Sequence, residues 1–132
     1  MDKKKKIILG KLEIEIMHVV WQLEEASARQ VLKEINKKKD LAYTTIITTM
    51  QKMEKKGLLV HREEERSYVY KPLIDKKEVE SNMLNEFIES VFRGSYKQMV
   101  NTLVENKNLS EKELRSILNY INAENKKGKK DD

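Results

Sequence analysis

The spacing of apolar residues changes character twice along this chain. From Leu9 to Glu24, residues Leu12, Ile16, Val19, Val20 and Leu23 recur at helical spacing, with Ile14, Met17 and Trp21 on an adjoining stripe. An apolar arc this wide predicts a helix buried on two sides. In "SARQVLKEI" Ser27 is placed as N-cap and Gln30 as its reciprocal partner, with Ala28, Val31, Leu32 and Ile35 as the buried stripe. After the connection "NKKKD", the segment "LAYTTIITTMQKMEKKGLL" carries a third stripe at Ile46, Met50 and Met53, and Gly57 stops it. The period then shortens. "LLVHR" and "RSYVYKPL" are rich in β-branched and aromatic residues, which predicts a hairpin with Glu63-Glu64-Glu65 at its tip and Pro72 at its end.

Beyond Pro72 the helical period returns three times, each time behind a capping-box pair: Asp75 with Glu78, Ser95 with Gln98, Ser110 with Glu113. Amphipathic helices this short cannot close a core alone. They need a second surface, and a symmetric dimer is the commonest one. The expected fold is mainly α: a winged helix-turn-helix DNA-binding domain over 1–73, then a helical dimerisation region over 74–124. Residues 125–132 are expected as a disordered basic tail. Phe87, Val91, Leu103 and Leu118 are the expected dimer contacts.

Charge narrows the partner. The net charge is +5, with lysines clustered in "DKKKK", "NKKK", "KMEKK" and "NKKGKK", which favours nucleic acid or an anionic surface. The runs at the two ends also fit plain solvated tails. The chain has no cysteine, which removes disulfides, thiolate metal sites and a cysteine nucleophile. No apolar run approaches a membrane span, and the apolar stretch of "MDKKKKIILG" is too short for a signal peptide. A cytoplasmic protein without membrane insertion is expected. Enzymatic activity and a cofactor are not: Glu15 and His18 have the spacing of half a di-iron site, but such sites need a second copy and further glutamates. No phosphate-binding glycine loop or nucleophile motif occurs.

With Ile46, Met50 and Met53 inward, the opposite face of that helix carries Thr44, Thr48, Gln51, Lys52 and Lys55, with Tyr43 at its start and Thr45 on its flank. Threonine can bond a donor or an acceptor on a base edge and touch a thymine methyl, while lysines a turn further on suit phosphates. Such a face can also be mere solvated surface; a capped helix before it and a hairpin after it favour recognition of double-stranded DNA. On the hairpin, Arg62 and Arg66 are the cations able to anchor a loop whose glutamates repel phosphate. The acidic loop supports an alternative, a winged helix that binds a protein partner.

"LGKLEIEIMHVVW", "AYTTIITTMQKMEKKGLL" and "RSYVYKP" closely resemble the penicillinase-repressor family of bacterial transcription regulators (the BlaI/MecI/CopY group). The combination of Glu13, Glu15, Met17 and Trp21 with Tyr43-Thr44-Thr45 and Lys56-Gly57-Leu58 carries the likeness, which is looser through the C-terminal helices. The resemblance implies a homodimeric repressor on a palindromic operator, held together by the C-terminal helices. Copper-responsive members carry a C-terminal cysteine cluster, absent here. In β-lactam-responsive members a membrane sensor peptidase is linked to a cut at an Asn-Phe pair; aligned on that region, this chain has Thr102-Leu103, with Asn101 one place earlier.

Overall fold

A computed structural model describes residues 7–130. Its elements in chain order are α1 (Lys11–Leu23), β1 (Ala26–Ser27), α2 (Ala28–Ile35), α3 (Tyr43–Lys55), β2 (Leu59–Glu64), β3 (Ser67–Pro72), α4 (Lys76–Phe92), α5 (Tyr96–Glu105) and α6 (Glu111–Lys130). The "DKKKK" run lies outside the described residues.

The chain divides into two compact units, Met1–Asn85 and Glu86–Asp132. In the first, local chemistry sets each helix end. Gly10 N–H donates to Glu13 Oε1 at 2.8 Å to open α1, and Ser27 and Gln30 form the expected reciprocal box at 2.8 and 3.2 Å. The loop between α2 and α3 is braced by Asn36, whose side chain both donates to and accepts from the Leu41 backbone at 2.9 Å. α3 ends on Gly57 at φ 82°. There Leu58 N–H donates to the Met53 carbonyl and Gly57 N–H to that of Glu54, both at 3.0 Å, a Schellman closure that glycine allows without strain.

The three stripes meet in one core. Ile16, Met17, Val20, Val31, Ile46, Met50 and Met53 have no exposure to solvent, which fixes the rotation of α3 about its axis. The hairpin lies beside this core in a three-stranded antiparallel sheet of order β1-β3-β2. The two-residue β1, which pairs Ala26 with Tyr70 and Ser27 with Val69, was not foreseen. The hairpin tip also differs from expectation. Glu63 pairs with Tyr68 and Glu64 with Ser67 inside the ladder, so the turn is Glu65-Arg66, both at positive φ (49° and 67°). Two successive left-handed residues match the twist of the strands, as in a type I′ turn.

The boundary expected after Leu73 falls within the first unit. Trp21 donates its indole N–H to the Ile74 carbonyl at 3.0 Å, Val79 is buried in the core, and Met83 packs against it. The start of α4 thus completes this core. In the second unit Ser95 accepts from Gln98 N–H and Ser110 and Glu113 form a full box, each bond at 3.1 Å. Ile88 is its one buried apolar side chain among the described residues. α6 ends at Lys130 and so runs through residues 125–130 of the segment expected as a tail. Between Ile121 and Lys130 there is no proline, alanine and lysine are good helix formers, and Gly128 costs only about 1 kcal/mol.

Candidate nucleic-acid interface

Burying Ile46, Met50 and Met53 turns Tyr43, Thr44, Thr45, Thr48, Gln51, Lys52 and Lys55 outward, and all seven are exposed. Their bonding separates them from their neighbours. Thr49, on the edge of the core, donates its hydroxyl to the Thr45 carbonyl at 2.7 Å, whereas the hydroxyls of Thr44, Thr45 and Thr48 have no partner among the described residues. Charge follows the same division. Lys56 is salt-bridged to Glu13 at 2.9 Å and Lys39 to Glu15 at 2.6 Å, while Lys52 and Lys55 have no counter-ion among the described residues. The outward face of α3 therefore offers free hydroxyls, an amide and two uncompensated cations. Such a face can approach a base edge closely and still hold phosphate.

The hairpin arginines divide. Arg62 grips Glu25 with two bonds of 2.7 and 2.9 Å and Glu64 with a third of 2.7 Å. This raises the guanidinium's pKa above its usual value and lowers that of the Glu25 carboxyl, in each case chiefly through the hydrogen bond between them. The pair ties β2 to the residue just before β1. Arg66, at the turn, has no ion pair among the described residues. It lines a cleft of about 500 Å³ between the N-terminus of α2, the face of α3 and the hairpin, together with Arg29, Tyr43, Gln51, Glu63 and Tyr68. Arg29 and Tyr68 were not foreseen. The Arg29 guanidinium lies 4.9 Å from the centre of the Tyr43 ring, a cation–π contact that holds the cation at the mouth of the cleft. A basic residue two places after the Ser27 cap was the available signal.

Two further groups lock α3 to the hairpin. His61 Nδ1 stands 2.7 Å from both carboxylate oxygens of Glu54, and its ring stacks on Tyr68 at 4.0 Å between centroids. Glu15 is paired with Lys39, and His18 meets Trp21 edge-on at 5.5 Å. Among the described residues no cluster of three or more His, Cys, Asp or Glu could hold a metal ion, and no helix is long and apolar enough to cross a membrane.

In the second unit Phe87, Val91 and Leu118 are at least half exposed (50%, 56% and 57%), and Leu103 is partly covered. Asn101, Thr102 and Leu103 lie within the α5 helix, where Thr102 donates its hydroxyl to the Gln98 carbonyl at 2.9 Å.

Three packed helices with an antiparallel hairpin, and an exposed polar and basic third helix, define a winged helix-turn-helix protein. The family profile described as Penicillinase repressor matches residues 9–123, and the chain belongs to that family. It is 29% identical over 114 residues to the methicillin resistance regulatory protein MecI of Staphylococcus aureus (strain N315), covering 86% of this chain and 93% of MecI. It is 31% identical over 119 residues to the penicillinase repressor of Bacillus licheniformis, covering 90% of this chain and 92% of the relative. Among solved structures, the DNA binding domain of the repressor BlaI superposes with a TM-score of 0.50 at 34% identity, over 58% of this chain and 93% of that domain. The resemblance read from the α1, α3 and hairpin residues is thus borne out.

Proposed function

We propose that this chain is a transcriptional repressor without enzymatic activity that acts in the cytoplasm. It binds a palindromic operator as a homodimer, one α3 to each half-site, in control of β-lactam resistance genes. The observation that carries the reading is the face of α3, where threonine hydroxyls and lysines without partners among the described residues stand side by side on a winged helix of the penicillinase repressor family. Homodimerisation is supported by the apolar residues left exposed on the second unit, Phe87, Val91 and Leu118 among them. The relatives' names, a methicillin resistance regulator and a penicillinase repressor, support the class of genes.

The test is a pair of substitutions on α3. Thr48→Ala is expected to relax discrimination at one base position by about 1–3 kcal/mol. Lys52→Ala is expected to weaken all sequences alike and to flatten the dependence of affinity on salt by roughly one ion. Gel-shift titrations on a duplex selected from a random pool, its single-base variants and bulk DNA read both effects. A lysine change that alters sequence preference, with a threonine change that does not, would contradict this rotation of α3.

A membrane sensor peptidase is the proposed inactivating partner, with the cut at Asn101, Thr102 or Leu103. Family membership supports it. The segment is helical, so α5 must open locally before its backbone can be cleaved, an event available to elements with few buried contacts. Exposure to an activated sensor peptidase followed by mass mapping is expected to give a break between residues 100 and 104; an intact chain would remove this partner.

A further inference from the structure

The hairpin face turned toward α3 carries an unneutralised carboxylate. Along β2, alternate residues share a face. His61 marks the side facing α3 through its contact with Glu54, and Glu63, two residues on, lies on the same side and lines the cleft beside Gln51. Glu64 points the other way and is held by Arg62 at 2.7 Å. Glu63 has no hydrogen bond or ion pair among the described residues, although Arg29 and Arg66 line the same cleft. A cleft lined by hydroxyls, an amide, aromatic rings and two arginines thus contains a carboxylate with no ion pair among the described residues, next to the base-reading helix.

We propose that Glu63 is a specificity-determining residue of the DNA interface. The proposal rests on the DNA-binding reading above and deepens it. A carboxylate only accepts hydrogen bonds. Near a phosphate it repels, at a cost incurred on every sequence. Beside a base edge it is compensated by an exocyclic amino hydrogen, with cytosine N4 as the usual partner of glutamate. The right sequence offers that donor within reach of the cleft and other sequences do not. Glu63 therefore lowers binding to bulk DNA while leaving the preferred site nearly untouched. This gives the acidic hairpin a role that does not require a protein partner.

The substitution Glu63→Gln keeps the shape and removes the charge, on an exposed side chain with no bond to lose, so folding is unaffected. The probes are random-sequence duplex and a duplex selected from a random pool by the wild-type chain. For Glu63→Gln we expect roughly three- to tenfold tighter binding to random duplex, the size of one unit-charge repulsion across several ångströms of hydrated interface. The gain on the selected duplex should be smaller than on random duplex, with preference relaxed at one base pair. Glu65→Gln, at the turn and not among the residues lining the cleft, should shift both duplexes by the same factor. The proposal is overturned if Glu63→Gln leaves random-duplex affinity unchanged, or raises both affinities equally as Glu65→Gln does. If selection with the wild-type chain enriches no duplex and random duplex is not bound either, the DNA-binding reading itself fails and takes this inference with it.

Discussion

Cutting the chain after Asn85 is expected to lower operator affinity by ~10²–10⁴ while leaving a folded fragment. The factor is the one lost when two linked contacts become independent, because the second half-site is no longer engaged intramolecularly. The fragment keeps the face of α3 and the cleft, so weak binding to any duplex should persist with its salt dependence. The position of the cut matters. Ending at Leu73 would remove the Ile74 carbonyl that accepts from Trp21, and the Val79 and Met83 side chains that complete the core. Such a fragment would lose stability as well as partner, and the two effects could not be separated. Ending at Asn85 keeps all three and removes Phe87, Val91, Leu103 and Leu118. Sedimentation should show a monomer, and gel shifts the loss of tight binding. A fragment that still sediments as a dimer, or binds operator as tightly as the whole chain, would place the dimer contact in the first unit.

The difference between a cut at Leu73 and one at Asn85 also shows what a sequence does and does not convey here. The rotation of α3 was legible because a 3.6-residue period is written into Ile46, Met50 and Met53, and no other packing buries all three. The Ser27 box was legible because both of its members are local. Non-local pairings were not. β1 is two residues long and exists only through its register with Val69 and Tyr70. Arg62 stood out as a free cation in sequence, yet it is held by Glu25, 37 positions away. The hairpin turn was misplaced because a type I′ turn usually announces itself by Asn-Gly or Asp-Gly, whereas here Glu65 and Arg66 adopt the left-handed conformation. The stripe of α4 could not be divided for a related reason. Val79 and Met83, which complete the core of the first unit, and Phe87 and Val91, which stay exposed, look alike when only their spacing is known.

Two substitutions in the first unit are expected to move stability in opposite directions, and the contrast tests how its core is held. Ile46 is fully buried under α3, between the helix that would read DNA and the rest of the core. Ile46→Ala removes its packing and leaves a cavity, at a cost of about 2–5 kcal/mol. That is a large share of the ~5–15 kcal/mol that stabilises a typical domain. Tyr70 is equally inaccessible, but its hydroxyl has no hydrogen-bond partner among the described residues. Burial raises the pKa of this phenol, and the Glu54 carboxylate reinforces the shift. A pKa raised in the fold contributes stability that is present below the unfolded value and is lost as pH climbs through the folded one. The wild-type chain should therefore weaken as pH rises past about 10, the ordinary range of tyrosine. Tyr70→Phe removes both liabilities while keeping the ring. Because an orphaned buried polar group is costly, the variant should gain about 1 kcal/mol at neutral pH and lose less stability in alkali. Urea unfolding of wild type and both variants at pH 7 and pH 10.5 reads all of these differences. If Tyr70→Phe is less stable than wild type at pH 7, its hydroxyl has a partner in solution, and the description of this part of the core must change.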